Sequence, residues 1–304
     1  MKKRALLRTV LVILLCALMP LQTTAEAVKY GSLTVEDDVT YVDMGKIRVL
    51  DWKAFYAFLD RLPNLEKVDM FATRIGAKKI EELVSRYPDI EFGWTIGIAE
   101  HSVRTDQTAF STQHRMNTED LHDASDFAVL KYCKKLKALD FGHNSVISLK
   151  FLEDLPDLKV LIIACNYVKD ITPIAKLEKL EYLEIFWNRI EDLSPLTGLT
   201  RLMDLNIGNN SITDFTPLYQ MPWLKRLWVY NSDRTWGKEM QEKALQLQAA
   251  MPDTHVDIVS TSTAGGWRQD PHYYVVKEMF EKGRYIPFED SWPDEEELPE
   301  TAEK

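Results

Sequence analysis

The sequence predicts an α/β solenoid: stacked coils whose short strands form one parallel sheet, with irregular, helix-bearing coils at both ends. Three observations carry this reading. Leucines recur at a fixed spacing of 22 residues through the middle of the chain. Each recurrence carries the same apolar alternation, so one side of every unit is built for burial. The 304 residues are 45% hydrophobic and 28% charged, which suits a chain with a sizeable core. Lys and Arg number 37 against 47 Asp and Glu, a net charge of −10. That argues against nucleic acid as a main partner, because neutralising phosphates requires a basic surface.

Residues 1–27 read as a secretory signal peptide. Lys2, Lys3, Arg4 and Arg8 precede an apolar run from Thr9 to Met19, and Ala25-Glu26-Ala27 supplies an A-x-A cleavage pattern. A stable membrane span needs roughly 20 apolar residues, more than this run offers. Cys16 follows Leu15, where lipid attachment calls for a small residue. The mature chain is expected to start near Val28 and to be secreted or associated with the cell surface. Its cysteines are too few for a disulfide scaffold.

Residues 28–98 predict an N-terminal cap of helix-bearing coils. Val42-Asp43-Met44 and Val68-Asp69-Met70 repeat a strand-like triplet, and Glu91-Phe92-Gly93-Trp94 follows. Between them, Trp52 to Leu62 places Phe55, Phe58, Leu59 and Leu62 on one helical face. Ala77 to Tyr87 does the same with Ile80, Leu83 and Val84. Residues 99–123 break the period and are polar, an irregular excursion holding His101, Arg104, Asp106, His114 and His122. Irregular stretches of this length are often functional. His114 and His122 lack metal-ligand spacing. A His101, Asp106 and Ser102 set is of a kind that any polar loop supplies.

Residues 124–232 are the regular repeats. Leu136, Leu158, Leu180, Leu202 and Leu224 form one column, and Leu139, Leu161, Leu183, Leu205 and Leu227 a second. Phe141, Ile163, Ile185, Ile207 and Val229 form a third. Asn144, Asn166, Asn188 and Asn210 form a fourth, which Ser232 closes. A single coil cannot bury its own leucines, so coils stack and share a core. The asparagines sit where the chain turns inward and can satisfy backbone groups of adjacent coils. Thr172-Pro173, Ser194-Pro195 and Thr216-Pro217 block a regular helix on the far side, since proline lacks the N–H donor.

The unit L-x-x-L-x-[apolar]-x-x-N-x-[VI], continued by Asp-x-[ST]-Pro-x, resembles the internalin type of leucine-rich repeat found in bacterial surface proteins. That resemblance implies an exported module that binds a protein ligand, in adhesion or at the envelope. Residues 233–288 read as a C-terminal helix-bearing coil and cap. Lys238 to Met251 has helical composition, Val256 and Ile258 follow Pro252-Asp253, and Gly265-Gly266-Trp267-Arg268 with Tyr273 to Phe280 is expected to cover the last coil. The whole layout resembles secreted leucine-rich repeat proteins of Gram-positive bacteria without an assigned activity. Residues 289–304 are half acidic and read as a disordered tail. Its Leu298-Pro299-Glu300-Thr301-Ala302 departs from the LPxTG wall-anchoring pattern at the last position.

Side chains alternate along a strand, so the outward columns of the stack can be read directly. Ala138, Val160, Tyr182, Asp204 and Arg226 form one, and Asp140, Ile162, Glu184, Asn206 and Trp228 the next. Beyond the strand lie Gly142, Ala164, Phe186, Gly208 and Tyr230, then His143, Cys165, Trp187, Asn209 and Asn231. Tyr182, Glu184, Phe186, Trp187, Asp204, Arg226, Trp228 and Tyr230 are therefore expected to form a ligand-binding face. Large aromatics each carry about 150–250 Å² of surface. Such patches on soluble monomers usually mark an interaction site. A protein ligand is the first expectation and a glycan stacked on Trp187 and Trp228 the alternative. The rival reading has flanking segments folded over these rings.

Cys133 and Cys165 are expected to stay unpaired, because they bracket strands of neighbouring coils too far apart to bridge. Cys165 and His143 share a column and could form a nucleophilic pair, or simply fill space. No phosphate loop, H-E-x-x-H or nucleophile elbow occurs. The chain is expected not to be an enzyme and to hold no catalytic residues, metal or cofactor. The alternative is an enzyme with its site in residues 99–123.

Overall fold

A computed structural model describes residues 26–98, 100–112, 122–230, 237–258 and 266–291. The signal segment up to residue 25 and the tail beyond 291, with its LPxTG-like motif, lie outside the described residues, as do His114 and Ser232. The chain divides into two compact units. One comprises Met1–Ala72 with Tyr87–Phe92, the other Thr73–Arg86 with Gly93–Lys304.

The first unit opens with an antiparallel hairpin, β1 (Ala27–Tyr30) and β2 (Leu33–Glu36), with Val28 opposite Val35. Gly31 takes φ +57° at the turn, a left-handed conformation that glycine adopts without steric cost. Helix α1 (Trp52–Leu59) starts at Asp51, whose carboxylate accepts the Ala54 N–H at 3.0 Å. It buries Phe55, Tyr56, Phe58 and Leu59, and the Tyr30 ring lies 5.4 Å from that of Phe55. Strand β3 (Tyr41–Asp43) pairs in parallel with the start of β4 (Lys67–Ile75), Val42 opposite Val68.

In the second unit, α2 (Ala77–Arg86) buries Ile80 and Leu83, whereas Val84, expected on the same face, is exposed. The end of β5 (Glu91–Ile98) turns back antiparallel into β6 (His101–Arg104).

Among the described residues, seven strands form a parallel sheet in chain order. They are β7 (Ala109–Ser111), β8 (Ala138–Asp140), β9 (Val160–Ile162), β10 (Tyr182–Glu184), β11 (Asp204–Asn206), β12 (Arg226–Trp228) and β13 (His255–Asp257). The 22-residue register is retained from β8 to β12, with Leu161 opposite Leu183 and Leu183 opposite Leu205. The leucine columns are sealed: Leu139, Leu158, Leu180, Leu183, Leu202 and Leu205 have no solvent exposure.

The asparagine column forms the expected ladder. Asn188 donates through Nδ2 to the carbonyls of Ile185 in its own coil and Ile163 in the preceding one, at 3.1 and 2.9 Å. Its Oδ1 accepts the Val168 N–H at 3.0 Å. On the far side, Asp170, Asp192 and Asp214 accept the backbone N–H two residues on. Each threonine or serine there opens a 3₁₀ turn with proline in its first positions. Between coils, α3 (Ala124–Phe127) is a single turn held by a capping box of Asp123 and Asp126. Helix α4 (Lys238–Ala250) buries Ala244 and Leu247.

Two further features depart from expectation. Part of the excursion is regular, since β7 contributes a strand to the coil sheet and Thr112 Oγ1 accepts from Asn144 Nδ2 at 3.2 Å. The C-terminal segment does not merely close the last coil. Residues 266–291, including α5 (Pro271–Lys282), lie across the outward side of the sheet as far back as β7.

Candidate functional site

The C-terminal cover is built from sequence-local devices. Asp270 caps α5 by accepting the His272 N–H at 2.9 Å, and Gly283 ends it at φ +61°. Val276 and Met279 point to the sheet, joining Ala109, Ala138, Val160, Tyr182, Trp228, Trp267 and Phe288 in one buried cluster. Gly266 lies so close to Trp228 that a Cβ there would sit 2.6 Å from the indole. Polar contacts pin the far end: Ser291 donates to Glu181 at 2.6 Å, and Tyr285 N–H to Thr108 at 2.8 Å.

This cover corrects the expected binding face. Tyr182 and Asp204 are fully buried, and Glu184, Trp228 and Phe186 nearly so. Tyr182 stacks on Phe288 with centroids 6.0 Å apart, and Trp228 meets Trp267 edge-on at 6.4 Å. Asp204 accepts Arg226 Nε at 2.5 Å and lies 2.6 Å from His272 Nδ1, while Arg226 also pairs with Asp270. Tyr230 is partly buried against the same cluster. Of the eight, Trp187 alone stands well out, at 55% exposure. The physical reason lies in the neighbouring column: Ala109, Ala138 and Val160 present apolar backing that a helix covers better than water does.

The cover is incomplete. A cavity of about 380 Å³ remains between β7–β10 and α5. Its sheet wall carries Asp140, His143, Glu184 and Phe186, and its opposite wall Arg268, Tyr273, Lys277 and Phe280. Two of the eight expected residues, Glu184 and Phe186, line it. Asp140 and Arg268 carry no site expectation from the sequence, and His143 carries one only as a possible partner of Cys165. Asp140 and His143 stood in the outward columns, but Arg268 reaches the site from a distant segment.

Electrostatics in the cavity are governed by burial. Burial pushes Glu184 up to about 7, against the lowering effect of hydrogen bonds from Tyr182 and Trp267. The nearby Asp140 charge raises it further, and Arg268 opposes. Asp140 is pushed up to about 6 by burial, partly offset by bonds from the Gly142 N–H and Ser111 hydroxyl, both at 2.9 Å. His143 is held below its ordinary value by burial and then by Arg268. The site thus holds two carboxyls that change charge near neutral pH, facing a guanidinium and an ammonium.

The other candidates resolve differently. Cys133 and Cys165 are both unpaired. Burial pushes the Cys165 thiol up to about 11, the opposite of an activated nucleophile. Cys165, His143 and Trp187 share a left-handed backbone, φ +54 to +60°, with Asn209. In the excursion, Asp106 is held by the Arg104 fork at 2.6 and 2.9 Å, so it does not orient His101. His101 instead lies beside Glu100 and His122. No helix among the described residues is long and apolar enough to cross a membrane.

No family model and no curated protein matches the chain. Among solved structures it is similar to internalin C2 of Listeria monocytogenes, at 22% identity over 66% of this chain and 74% of that one, with a TM-score of 0.38. A second internalin of that species, internalin F, gives 19%, 75%, 71% and 0.37 in the same order. A leucine-rich repeat protein of Leptospira interrogans gives 16%, 66%, 57% and 0.39. At these scores the likeness says nothing of function. The parallel sheet, the 22-residue register and the asparagine ladder by themselves make the fold a leucine-rich repeat solenoid.

Proposed function

We propose that the chain is an exported, non-enzymatic binding module that seats a protruding segment of a protein ligand in the cavity beneath α5. The observation that carries this reading is the cavity itself. It is an opening left on a face that the protein's own C-terminal segment partly covers, and about 380 Å³ lies in the range of ligand pockets. Its walls combine aromatic rings with charged groups of both signs, the mixture that gives an interface both area and direction. Of the residues expected from the sequence, Glu184 and Phe186 contact the ligand inside, and Trp187 contacts it outside. The glycan alternative loses its support, since Trp228 is buried under Trp267 and Gly266.

Site-directed photo-crosslinking tests the reading. A benzoylphenylalanine at Lys277, exposed on the cavity rim, should capture a discrete protein from envelope or host-surface extracts. The same group at Leu245, exposed on α4, should not. Capture at 277 should fall in a Phe186→Ala background that melts normally. Equal adducts at both positions, or none at 277, would overturn the cavity as the contact site. Export is tested separately by the N-terminus of the product: Val28 supports it, and retention of residues 1–27 refutes it.

A further inference from the structure

We propose that Glu100, His101 and His122 form a binding site for one divalent transition-metal ion of the zinc type. One ligand atom from each lies within 4.8 Å of the other two. Glu100 Oε1 is 3.2 Å from His101 Nε2 and 3.9 Å from His122 Nε2. Zinc holds imidazole nitrogen and carboxylate oxygen at about 2.0–2.2 Å, so adjacent ligands of a tetrahedral ion stand roughly 3.3–3.5 Å apart. The two spacings to Glu100 bracket that range. Two imidazoles with one carboxylate are borderline donors, which suit zinc over calcium or magnesium.

The surroundings hold the ligands in place. His122 is 3% exposed, and its other ring nitrogen, Nδ1, lies 3.6 Å from Asp126 Oδ2. The carboxylate thus stands on the Nδ1 side of the ring, and Nε2 is the nitrogen turned to Glu100. The His122 backbone is fixed as well: its N–H donates to Asn144 Oδ1 at 3.0 Å, and its carbonyl accepts from Ser145 N and Oγ at 3.0 Å. The ring packs edge-on against Phe127 at 5.9 Å. His101 lies in β6 opposite Ile98, and its carbonyl accepts from Arg74 at 3.2 Å. Glu100 is half exposed on its side chain, so an ion can enter from solvent. Three protein ligands leave a fourth position for water or for a donor from a partner. An ion here would tie the β5–β6 turn to the start of the repeat coils. The site is independent of the cavity proposal, although His101 also borders that cavity.

Metal titration of the purified chain lacking residues 1–27, after chelator treatment, tests the site. Cobalt(II) should give visible ligand-field bands of a four- or five-coordinate ion, and stoichiometric zinc should bleach them. His101→Ala and Glu100→Gln should each abolish the bands or weaken zinc binding at least tenfold. His255→Ala, at an exposed histidine in β13, should change nothing. Zinc should also raise the melting temperature of the unaltered chain and not of His101→Ala. Absence of cobalt bands, or binding that survives both His101→Ala and Glu100→Gln, would overturn the proposal. Glu100 is exposed and His101 is the first residue of β6, so the outcome does not depend on the buried His122 tolerating replacement.

Discussion

Trp267 donates its indole N–H to Glu184 Oε1 at 2.8 Å, joining two residues that are 83 positions apart in sequence. The same N–H lies 2.7 Å from Tyr182 Oη, and the Tyr182 hydroxyl donates to Glu184. Three large side chains from the cover and one repeat strand therefore satisfy each other inside an apolar cluster. This contact holds the C-terminal segment across the sheet and decides which part of the face is left open. It also places a carboxyl at the cavity floor, where burial outweighs the opposing charge of Arg268.

Trp267→Ala removes the ring from that cluster and the donor from Glu184. The loss should be about 3–5 kcal/mol, as for large-to-alanine changes in a core. Limited proteolysis should then release residues 266–291 while the coils stay intact. Trp267→Phe should cost less and keep the segment protected. A Trp267→Ala protein with unchanged melting and unchanged protease resistance would refute the cover. Trp228→Ala should also lower melting, whereas a solvent-facing ring would leave it unchanged.

Glu184 makes stability depend on pH. Its folded value is raised to about 7 from an ordinary 4.5, so the folded state binds the proton more tightly than the unfolded state. The resulting stabilisation is complete below 4.5 and is lost as pH rises through 7. The loss is about 3 kcal/mol through Glu184 alone. Asp140 adds a smaller change in the same direction, ending near 6. Glu184→Gln keeps a carbonyl for Trp267 and Tyr182 but cannot ionise. Thermal melts from pH 4.5 to 8 should show a shallower decline for the variant and a higher melting temperature at pH 8. Identical slopes would mean that Glu184 is not the titrating group.

Asn188→Ala tests the ladder. Its amide satisfies carbonyls in two coils and one N–H, and alanine leaves those groups without that partner. The cost should be about 1–3 kcal/mol. Leu183→Ala, in the sealed core of the same coil, should cost about 2–5 kcal/mol through a cavity. Denaturant melts that place Asn188→Ala within error of the parent would remove the ladder as a source of stability.

The repeats were legible because each column meets the same environment in every coil. Leu183 and Asn188 could be assigned from period alone, and the structure places both accordingly. The helices over 52–59, 77–86 and 238–250 were legible from their apolar spacing. The β1–β2 hairpin and the cover were not, for different reasons. The hairpin spans too few residues for a periodic signal. The cover depends on a partner far along the chain, and nothing local to Tyr182 or Trp228 says that Trp267 will arrive. A hint existed in Ala138, Val160, Ile162 and Ala164, outward positions that are small or apolar where a solvated face would carry polar groups. The Glu100, His101 and His122 cluster was hidden because tertiary folding, not helical spacing, brings position 122 to the β5–β6 turn.

Trp187 stands apart from its buried neighbours, and its backbone makes a separate test possible. It is 55% exposed and holds φ +55°, a conformation that bulky residues rarely adopt. Asn209 takes the same conformation one coil later, and asparagine tolerates it far better. Trp187→Asn should therefore hold or raise stability, by up to about 1 kcal/mol, because relief of strain offsets the small apolar area lost. If Trp187 is kept for a ligand, the same variant should lose capture at Lys277 despite its unchanged or higher melting temperature. Normal capture would confine recognition to the cavity interior at Glu184 and Phe186. A marked drop in melting temperature would instead mean that the exposed indole packs against the coil margin and serves the fold.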